Sequence, residues 1–330
     1  MNIDDLVYGT QEITDAAAAE IIATPQFQRL KRIGQGGVLG ELSDPQCFTR
    51  YEHSIGALLL LQRLGASRNE QIAGLLHDVS HTAFSHTVDY VLGDPLLGDF
   101  QDRTHDRYIT STAIPAILAK HGLPKDCAQH PTAKRFPLLE QDAPLLCADR
   151  VDYTLRNAWH RDMHEHTSLL LSALTVHDNR IVFSSSRAAE AFWRLYDRLQ
   201  ENKWAEHREI ARAQLLGDAL EQAMKTKLLS MADLYQDDVH VTGILRASHD
   251  PCIQECLMLL DKGFSLVRDE RNPNYRLRQK FRRVDPEFLE NGRLRKVSEV
   301  FPSEYGEWLD RVRAQEKYTP NGFPVRILPA

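Results

Sequence analysis

The 330-residue chain has no apolar run approaching the ~18 consecutive residues that a membrane-spanning helix requires. Its first residues, Met1-Asn2-Ile3-Asp4-Asp5, are acidic where an export signal is basic and then apolar. Neither membrane insertion nor export is expected. Cysteine is scarce and scattered: Cys47, Cys127, Cys147, Cys252 and Cys256 are odd in number and contain no CxxC pair. That pattern argues against a disulfide framework and for a reduced, cytoplasmic setting. Cys252 and Cys256, one turn apart on a predicted helix, read as core thiols, not zinc ligands. Internal repeats and low-complexity tracts are also absent, which sets aside solenoids and disordered arrays.

What is present is apolar content of 42%, enough over 330 residues to bury a sizeable core, and a length that suggests an appended subdomain. Periodicity and composition predict helices over 14–32, 54–64, 69–77, 86–92, 106–121 and 149–159, with Asn69 as the N-cap of the third. A hairpin is expected from strands 174–177 and 180–183 around Asp178-Asn179, and helices resume from 186 to 229. The last ninety residues change character: 238–245 is strand-like, 250–260 helical, and 275–282 alternates apolar and cationic residues. The fold class is therefore mainly α, with a helical core over 1–235 and a smaller C-terminal α+β subdomain over 236–330.

Chemistry concentrates around His77-Asp78. The preceding Ile72, Ala73, Leu75 and Leu76, with Val79 after, read as a buried helix, and an ionised Asp78 there is costly unless paired or metal-bound. His53, near the start of another apolar helix, and Asp149 complete a compact N/O ligand set that zinc, iron, manganese, nickel or magnesium accepts. Such a cation can activate water against a phosphate ester. His81 follows His77 by one helical turn and His86 by two and a half, so three histidines fall within ten residues. Paired with carboxylates, His86 with Asp89 or His105 with Asp106 could protonate a leaving oxygen, and cationic His81 or His86 could stabilise developing charge.

In order and spacing, Thr24-Pro25-Gln26-Phe27-Gln28-Arg29-Leu30 with Gln35, Arg50-Tyr51-Glu52-His53-Ser54, His77-Asp78, His81-Thr82-Ala83-Phe84-Ser85-His86 and Ala148-Asp149-Arg150-Val151-Asp152-Tyr153 resemble the HD-superfamily phosphohydrolases. The likeness spans roughly residues 1–230 and lies with the deoxynucleoside triphosphate triphosphohydrolase branch. It implies a helical HD-domain core, with His53, His77, Asp78 and Asp149 on one divalent metal and Arg50 on phosphate. By the same resemblance His81, His86, Asp89 and His105 are catalytic, Gln35, Tyr153 and Asn157 lie around the substrate, and the chain assembles as a dimer or tetramer. A second metal is open, because His105, His121 and His130 fall between the HD pair and Asp149.

The chain also departs from that branch. Asn157 stands where an acidic contact is expected, and the segments Phe192–Leu199 and Trp204–Arg208 lack a clear match to the histidine and tyrosine that hold the nucleotide. His160, Arg161, His164 and His166 read as a polar loop, a phosphate patch or ligands of a second metal. From Arg268 to Lys296 there are ten Lys or Arg against five Asp or Glu, net +5 in a chain of formal charge -6. Period-two alternation predicts Arg276, Arg278, Lys280 and Arg282 on one face of a strand. That strip could guard an edge, or bind an anionic effector, a partner subunit or nucleic acid. The expected reaction is nucleotide phosphohydrolysis, with (deoxy)nucleoside triphosphates first. The alternatives are a nucleotide monophosphatase, a phosphodiesterase or a weakly catalytic nucleotide sensor.

Overall fold

The computed structural model describes residues 1–330, and its N-terminus is an antiparallel hairpin of β1 (Asn2–Asp5) and β2 (Gly9–Glu12). Asp15 then caps α1 (Ala16–Ile22) by accepting the N–H groups of Ala17 and Ala18 at 2.8 and 3.0 Å. The single helix predicted over 14–32 is divided. Pro25 cannot continue the ladder, so Thr24 caps a new turn, Pro25–Gln28, which tightens into a 3-10 turn at Arg29–Arg32.

Next come α2 (Arg50–Arg63) and α3 (Arg68–Leu76). α2 begins four residues earlier than predicted because Thr49 and Glu52 form a capping box: Thr49 N–H donates to Glu52 Oε2 at 2.7 Å and Glu52 N–H to Thr49 Oγ1 at 3.3 Å. Ser67, not Asn69, caps α3, its hydroxyl accepting from Glu70 N–H at 3.2 Å. Beyond His77 the chain leaves the helix, so His81 does not stack on His77 through a shared helical face. The predicted 86–92 helix is a 3-10 turn, Ser85–Val88, followed by one α-turn, Asp89–Leu92. Phe84 and Ser85 sit at φ 59° and 46°, a conformation that costs non-glycine residues energy and must be held by its surroundings. Asp238 supplies part of that hold, accepting Phe84 N–H at 2.7 Å and Gly34 N–H at 2.9 Å.

α4 (Phe100–Thr110) and α5 (Ile114–Lys120) replace the helix predicted over 106–121, with Ser111 to Ala113 breaking it ahead of Pro115. α6 (Ala148–His160) matches expectation and carries Asp149 in its first turn. The predicted hairpin is present as β3 (Leu174–His177) and β4 (Arg180–Phe183), turning through left-handed Asp178 and Asn179 at φ 48° and 57°. α7 (Ser186–Leu199) runs into a π-helical turn, Gln200–Trp204, before α8 (His207–Lys225).

In the C-terminal third, 238–245 is not a strand but lies in α9 (Asp238–Arg246). Asp237 caps it through His240 N–H at 2.9 Å, and Val241 and Leu245 bury one turn apart, so capping and helical packing override the β-branched composition. After α10 (Pro251–Lys262) come β5 (Phe264–Arg268), β6 (Tyr275–Leu277), β7 (Glu287–Glu290), β8 (Arg293–Lys296), α11 (Pro302–Glu316) and β9 (Phe323–Pro329). β9 lies between β5 and β6 in one sheet, while β7 joins β4 in parallel through Phe183 and Phe288 to give the order β3-β4-β7-β8.

The basic strand predicted over 275–282 ends at Leu277. Beyond it the chain passes from one sheet to the other without a ladder of its own. Gln200 Nε2 donates to Lys280 O at 3.3 Å, and the Gln279 side chain donates to Ala205 O at 2.5 Å. The backbone and side-chain partners therefore come from the π-helical turn and from Ala205 just after it, not from a neighbouring strand. Val284, Phe288, Val297, Trp308 and Val312 are buried in the same apolar cluster as Leu60, Val151, Leu155 and Phe192. At about 1.5–3 kcal/mol for each large side chain buried, this packing anchors the C-terminal segment on α2, α6 and α7. No helix is long and apolar enough to cross a membrane.

Candidate metal centre

Three elements deliver the centre: His53 lies in the first turn of α2, His77 caps the C-terminus of α3, and Asp149 lies in the first turn of α6. His53 Nε2 is 2.9 Å from Asp149 Oδ1 and 3.2 Å from His77 Nε2, and one ligand atom from each of the three lies within 4.8 Å of the others. The histidines are buried, and Asp149, its side chain 29% exposed, forms the open side.

The hydrogen bonds fix where the ring protons sit. His77 Nδ1 is 2.7 Å from Gly74 O, which can only accept, so Nδ1 carries the hydrogen. His53 Nδ1 donates in the same way to Asp152 Oδ2 at 2.7 Å. Neutral rings then turn two Nε2 lone pairs toward each other beside a carboxylate oxygen. Three converging acceptors need positive charge among them, and the second hydrogen bond on each ring is the arrangement that orients histidine for a cation. Without a metal, protons must serve: burial alone would lower His53, but its bonds to Asp149 and Asp152 push it up to about 9. Two imidazole nitrogens and a carboxylate oxygen suit a divalent cation, so the residues fit a metal.

Asp78 lies against this group. Its Oδ1 is 3.5 Å from His77 Nε2 and its Oδ2 3.7 Å from His53 Nε2, and Oδ2 accepts from Arg50 Nη1 at 2.7 Å. Burial resists ionisation, but Arg50, His77 and His81 outweigh it and hold the carboxyl well below the usual range. The cost of an ionised Asp78 in an apolar setting is thus met by the cation Arg50, by the His81 ring and by the centre itself.

A supporting layer lies behind His53. Asp152 also accepts from Tyr8 Oη at 2.9 Å and from both Nε and Nη2 of Arg156, at 3.2 and 3.0 Å, while Arg156 reaches Asp5 at 3.0 Å. Gly56 makes room for this pair: a Cβ there would fall 2.0 Å from Asp152 Oδ1 and 2.1 Å from Arg156 Nη2. Asp152 was not among the residues singled out from the sequence. Its position three residues after Asp149, on the same helix face, is the signal that could have found it.

The other histidines separate. His81 Nε2 is 3.3 Å from Asp78 Oδ1, and His86 Nδ1 is 3.2 Å from Asp89 Oδ2, with the two rings 5.0 Å apart in a T-shape. Burial and the nearby Arg50 hold His81 well below the ordinary imidazole range, and burial depresses His86 despite Asp89, with Arg50 and Arg282 adding to the effect. The charged form of both rings is thus disfavoured in this setting. Asp89 is buried behind His86 and also accepts Phe100 N–H at 3.0 Å. His105 does not line the cavity. It is fully buried, bonded to Ser80 Oγ at 2.8 Å, and burial pushes it down to about 4. The change of register comes from α4, which starts at Phe100 and turns Gln101 and Asp102, with His130 opposite, toward the cavity in its place. No second metal cluster forms from His105, His121 and His130, since His121 pairs with Glu20 at 2.8 Å and His130 lies 3.6 Å from Asp102.

A cavity of about 420 Å³ opens beside the centre, within the range of ligand sites. Gln35, Arg50, Tyr153 and Asn157 line it, as do Tyr90, Lys203, Trp204, Lys280 and Arg282. Tyr153 meets Trp204 edge-on at 5.2 Å and its hydroxyl lies 3.3 Å from that of Tyr196, giving an aromatic wall. Arg50 is largely committed: Nε donates to Ser85 Oγ at 2.9 Å and Nη2 to Gln35 O at 3.2 Å, besides the bond to Asp78. Asn157 Nδ2 donates to Tyr153 O at 2.8 Å, which leaves its oxygen free of that bond. The His160-to-His166 loop stays outside: His160 stacks on Phe48 and bonds Pro45 O, and His164 stacks on Trp159.

A buried histidine–carboxylate cluster at the junction of three helices, next to a polar cavity, defines a helical metal-dependent hydrolase site. Residues 50–157 match the family model described as "HD domain". The chain is 38% identical to the uncharacterized protein YdhJ of Bacillus subtilis over 289 residues, 87% of this chain and 88% of that one. It is 32% identical over 258 residues to the metal-dependent phosphohydrolase cns2 of Cordyceps militaris, covering 76% and 74% of the two chains. A shorter match, 37% over 146 residues and 23% of the partner's length, is to the human deoxynucleoside triphosphate triphosphohydrolase SAMHD1. In fold, the solved structure of a hypothetical protein from Aquifex aeolicus superposes with a TM-score of 0.65 at 22% identity, covering 92% of both chains. The chain belongs to the HD-domain family of metal-dependent phosphohydrolases.

Proposed function

We propose that this phosphohydrolase acts on nucleotides, with (deoxy)nucleoside triphosphates as its preferred class. The observation that carries the reading is the cavity beside the metal centre, which sets an aromatic wall of Tyr153 and Trp204 on one side and the cations Arg50, Lys280 and Arg282 on others. A nucleotide needs both: a flat apolar surface for its base and positive charge for its phosphates. Local similarity to a deoxynucleoside triphosphate triphosphohydrolase supports the same class.

In this reading His53, His77, Asp78 and Asp149 hold one divalent metal, which when bound supplies Lewis-acid polarisation and a water nucleophile usable at neutral pH. The chain's own residues do the rest. Arg50 spends three of its N–H groups on Asp78, Ser85 and Gln35, and the second hydrogen of each terminal nitrogen remains for a phosphate oxygen. His81 donates from Nε2 to Asp78 and keeps that carboxylate turned toward the centre. His86, its Nδ1–H held by Asp89, presents Nε2 to the cavity, and in its protonated form gives the Nε2 proton to the leaving oxygen. Gln35 and Asn157 offer polar contacts beside the sugar, and Tyr153 packs against it.

A second reading, a nucleotide monophosphatase or phosphodiesterase, draws on the same commitment of Arg50. Close to the centre, the uncommitted donors suffice for one phosphoryl group. The test is a panel of ribo- and deoxynucleotides incubated with protein loaded with manganese, iron, nickel, zinc or magnesium, with products separated by chromatography. Orthophosphate, pyrophosphate and triphosphate identify the bond cleaved. Turnover of monophosphates or diesters alone excludes the first reading, and tight binding without turnover makes the protein a sensor.

A further inference from the structure

Of the cations between Arg268 and Lys296, most of those that touch other side chains are neutralised. Arg268 pairs with Glu270, Arg278 with Asp94 at 3.4 Å, Arg283 with Glu316, and Arg295 with both Glu290 and Glu299 at 3.0 Å. Arg282 differs. Its backbone N–H meets Gln200 Oε1 at 3.4 Å, but its guanidinium makes no hydrogen bond or ion pair with the protein, and it lines the cavity. Lys280, two residues earlier, lines the same cavity, its ammonium bonded only to the carbonyl of Leu97. Between them they place two positive charges on one wall of a half-buried space. Burial and the neighbouring Arg282 push Lys280 down to about 8, as expected of like charges drawn together away from water.

The backbone that carries them is held firmly. Gln200, buried on the π-helical turn, contacts Lys280 O and Arg282 N–H, while Gln279 donates to Ala205 O and accepts from Thr319 Oγ1 at 3.3 Å. On the inner side, Gly98 at φ +64° leaves the gap between the two groups: a Cβ there would lie 3.3 Å from His86 Nδ1 and 3.5 Å from Lys280 Nζ. Lys280 is therefore adjacent to His86 across one backbone residue. A pair of cations on a pinned segment, facing the space next to an acid–base histidine, is a preorganised anion site.

We propose that Lys280 and Arg282 form a second phosphate subsite, which takes the part of a polyphosphate chain lying beyond the phosphoryl group at the metal centre. The proposal rests on the phosphohydrolase reading and deepens it. The segment lies outside residues 50–157, so the substrate's length would be read by the C-terminal part of the chain and the cleavage by the helical part. It also gives the strip a use other than nucleic-acid binding: Lys280 and Arg282 turn inward, and Arg278 is paired.

The test is calorimetric titration of the full chain, in excess magnesium, with inorganic tripolyphosphate and separately with orthophosphate. Wild type should bind tripolyphosphate more tightly than orthophosphate. Arg282→Gln and Lys280→Gln should each weaken tripolyphosphate by about tenfold, the size of one lost charge-assisted contact, and leave orthophosphate within about twofold. Arg282→Lys should recover part of the loss, because it restores the charge without the planar fork. Melting temperatures should not move for Arg282→Gln, whose side chain has no protein partner, so a merely structural role predicts the opposite pattern. Equal tripolyphosphate affinity in wild type and Arg282→Gln, or no preference for tripolyphosphate in wild type, would overturn the subsite. If wild type turns over no nucleotide while Arg282→Gln still loses tripolyphosphate, the nucleotide reading fails and the subsite stands.

Discussion

Asp152 Oδ2 accepts the Nδ1–H of His53 at 2.7 Å, while Asp149, one turn earlier on α6, faces the opposite nitrogen of the same ring at 2.9 Å. One helix thus both orients the imidazole and supplies the carboxylate that meets it. Replacing Asp152 by Asn keeps the volume but removes the charge that fixes the tautomer and balances Arg156. Metal content measured by elemental analysis, and metal affinity by competition, should fall by about 10–100-fold. Unchanged affinity would show that the ring is held by packing alone.

Gly56→Ala should produce the same defect by another route. Its Cβ would fall 2.0 Å from Asp152 Oδ1, displacing the buried ion pair with Arg156. Overpacking of this kind costs about 1–3 kcal/mol, visible as a lower midpoint in urea, and the metal affinity should drop with it.

The pH dependence of stability should differ between stripped and loaded protein. In the stripped form His53 titrates at about 9, above the ordinary imidazole value, so its contribution is complete below about pH 6.5 and is lost as pH rises through 9. Chelator-treated protein should lose thermal stability across that window. Metal-loaded protein should not, because the ion replaces the proton, and the stabilisation by metal should therefore grow with pH. Parallel melting curves for the two forms from pH 6.5 to 9 would count against the assignment.

His86→Ala should lower kcat by about 10²–10⁴-fold with a small change in KM, as loss of a proton-transfer group predicts. Asp89→Asn should fall between that variant and wild type, since the ring stays in place but its Nδ1 loses a charged acceptor. His105→Ala, by contrast, should act on stability: the ring is buried on Ser80 and Gln101, away from the cavity. A melting shift with kcat within a few-fold of wild type is the expected result.

His77→Ala combined with Asp78→Ala should abolish turnover on any active nucleotide, with the helical circular-dichroism signal retained. Residual activity above about one per cent would place the metal elsewhere.

Much of the centre was legible because the residues that build it lie at helix starts and ends that the sequence marks. His53 follows a capping box, and Asp149 opens an amphipathic helix with its own apolar stripe. The family likeness named the reaction class for the same reason: it is written in short, ordered motifs. The inward cations were less legible. A period-two pattern from Tyr275 to Arg282 is what a strand would show, but strand formation needs a neighbour, and after Leu277 the polar groups of the chain turn to Gln200 and Ala205. In the same way β-branched residues over 238–245 favoured a strand until the Asp237 cap and the burial of Val241 and Leu245 decided for a helix.

By itself, then, the sequence determined the helical class and, through short ordered motifs that resemble a known family, pointed to metal-dependent hydrolytic chemistry with His53, His77, Asp78 and Asp149 as the expected ligands. Tertiary structure alone decided that Asp152 backs His53 from α6, that His105 turns away, and that Lys280 and Arg282 face the cavity. Each of these depends on where distant segments meet, and a side chain's direction there is set by packing and hydrogen bonds that no local pattern encodes.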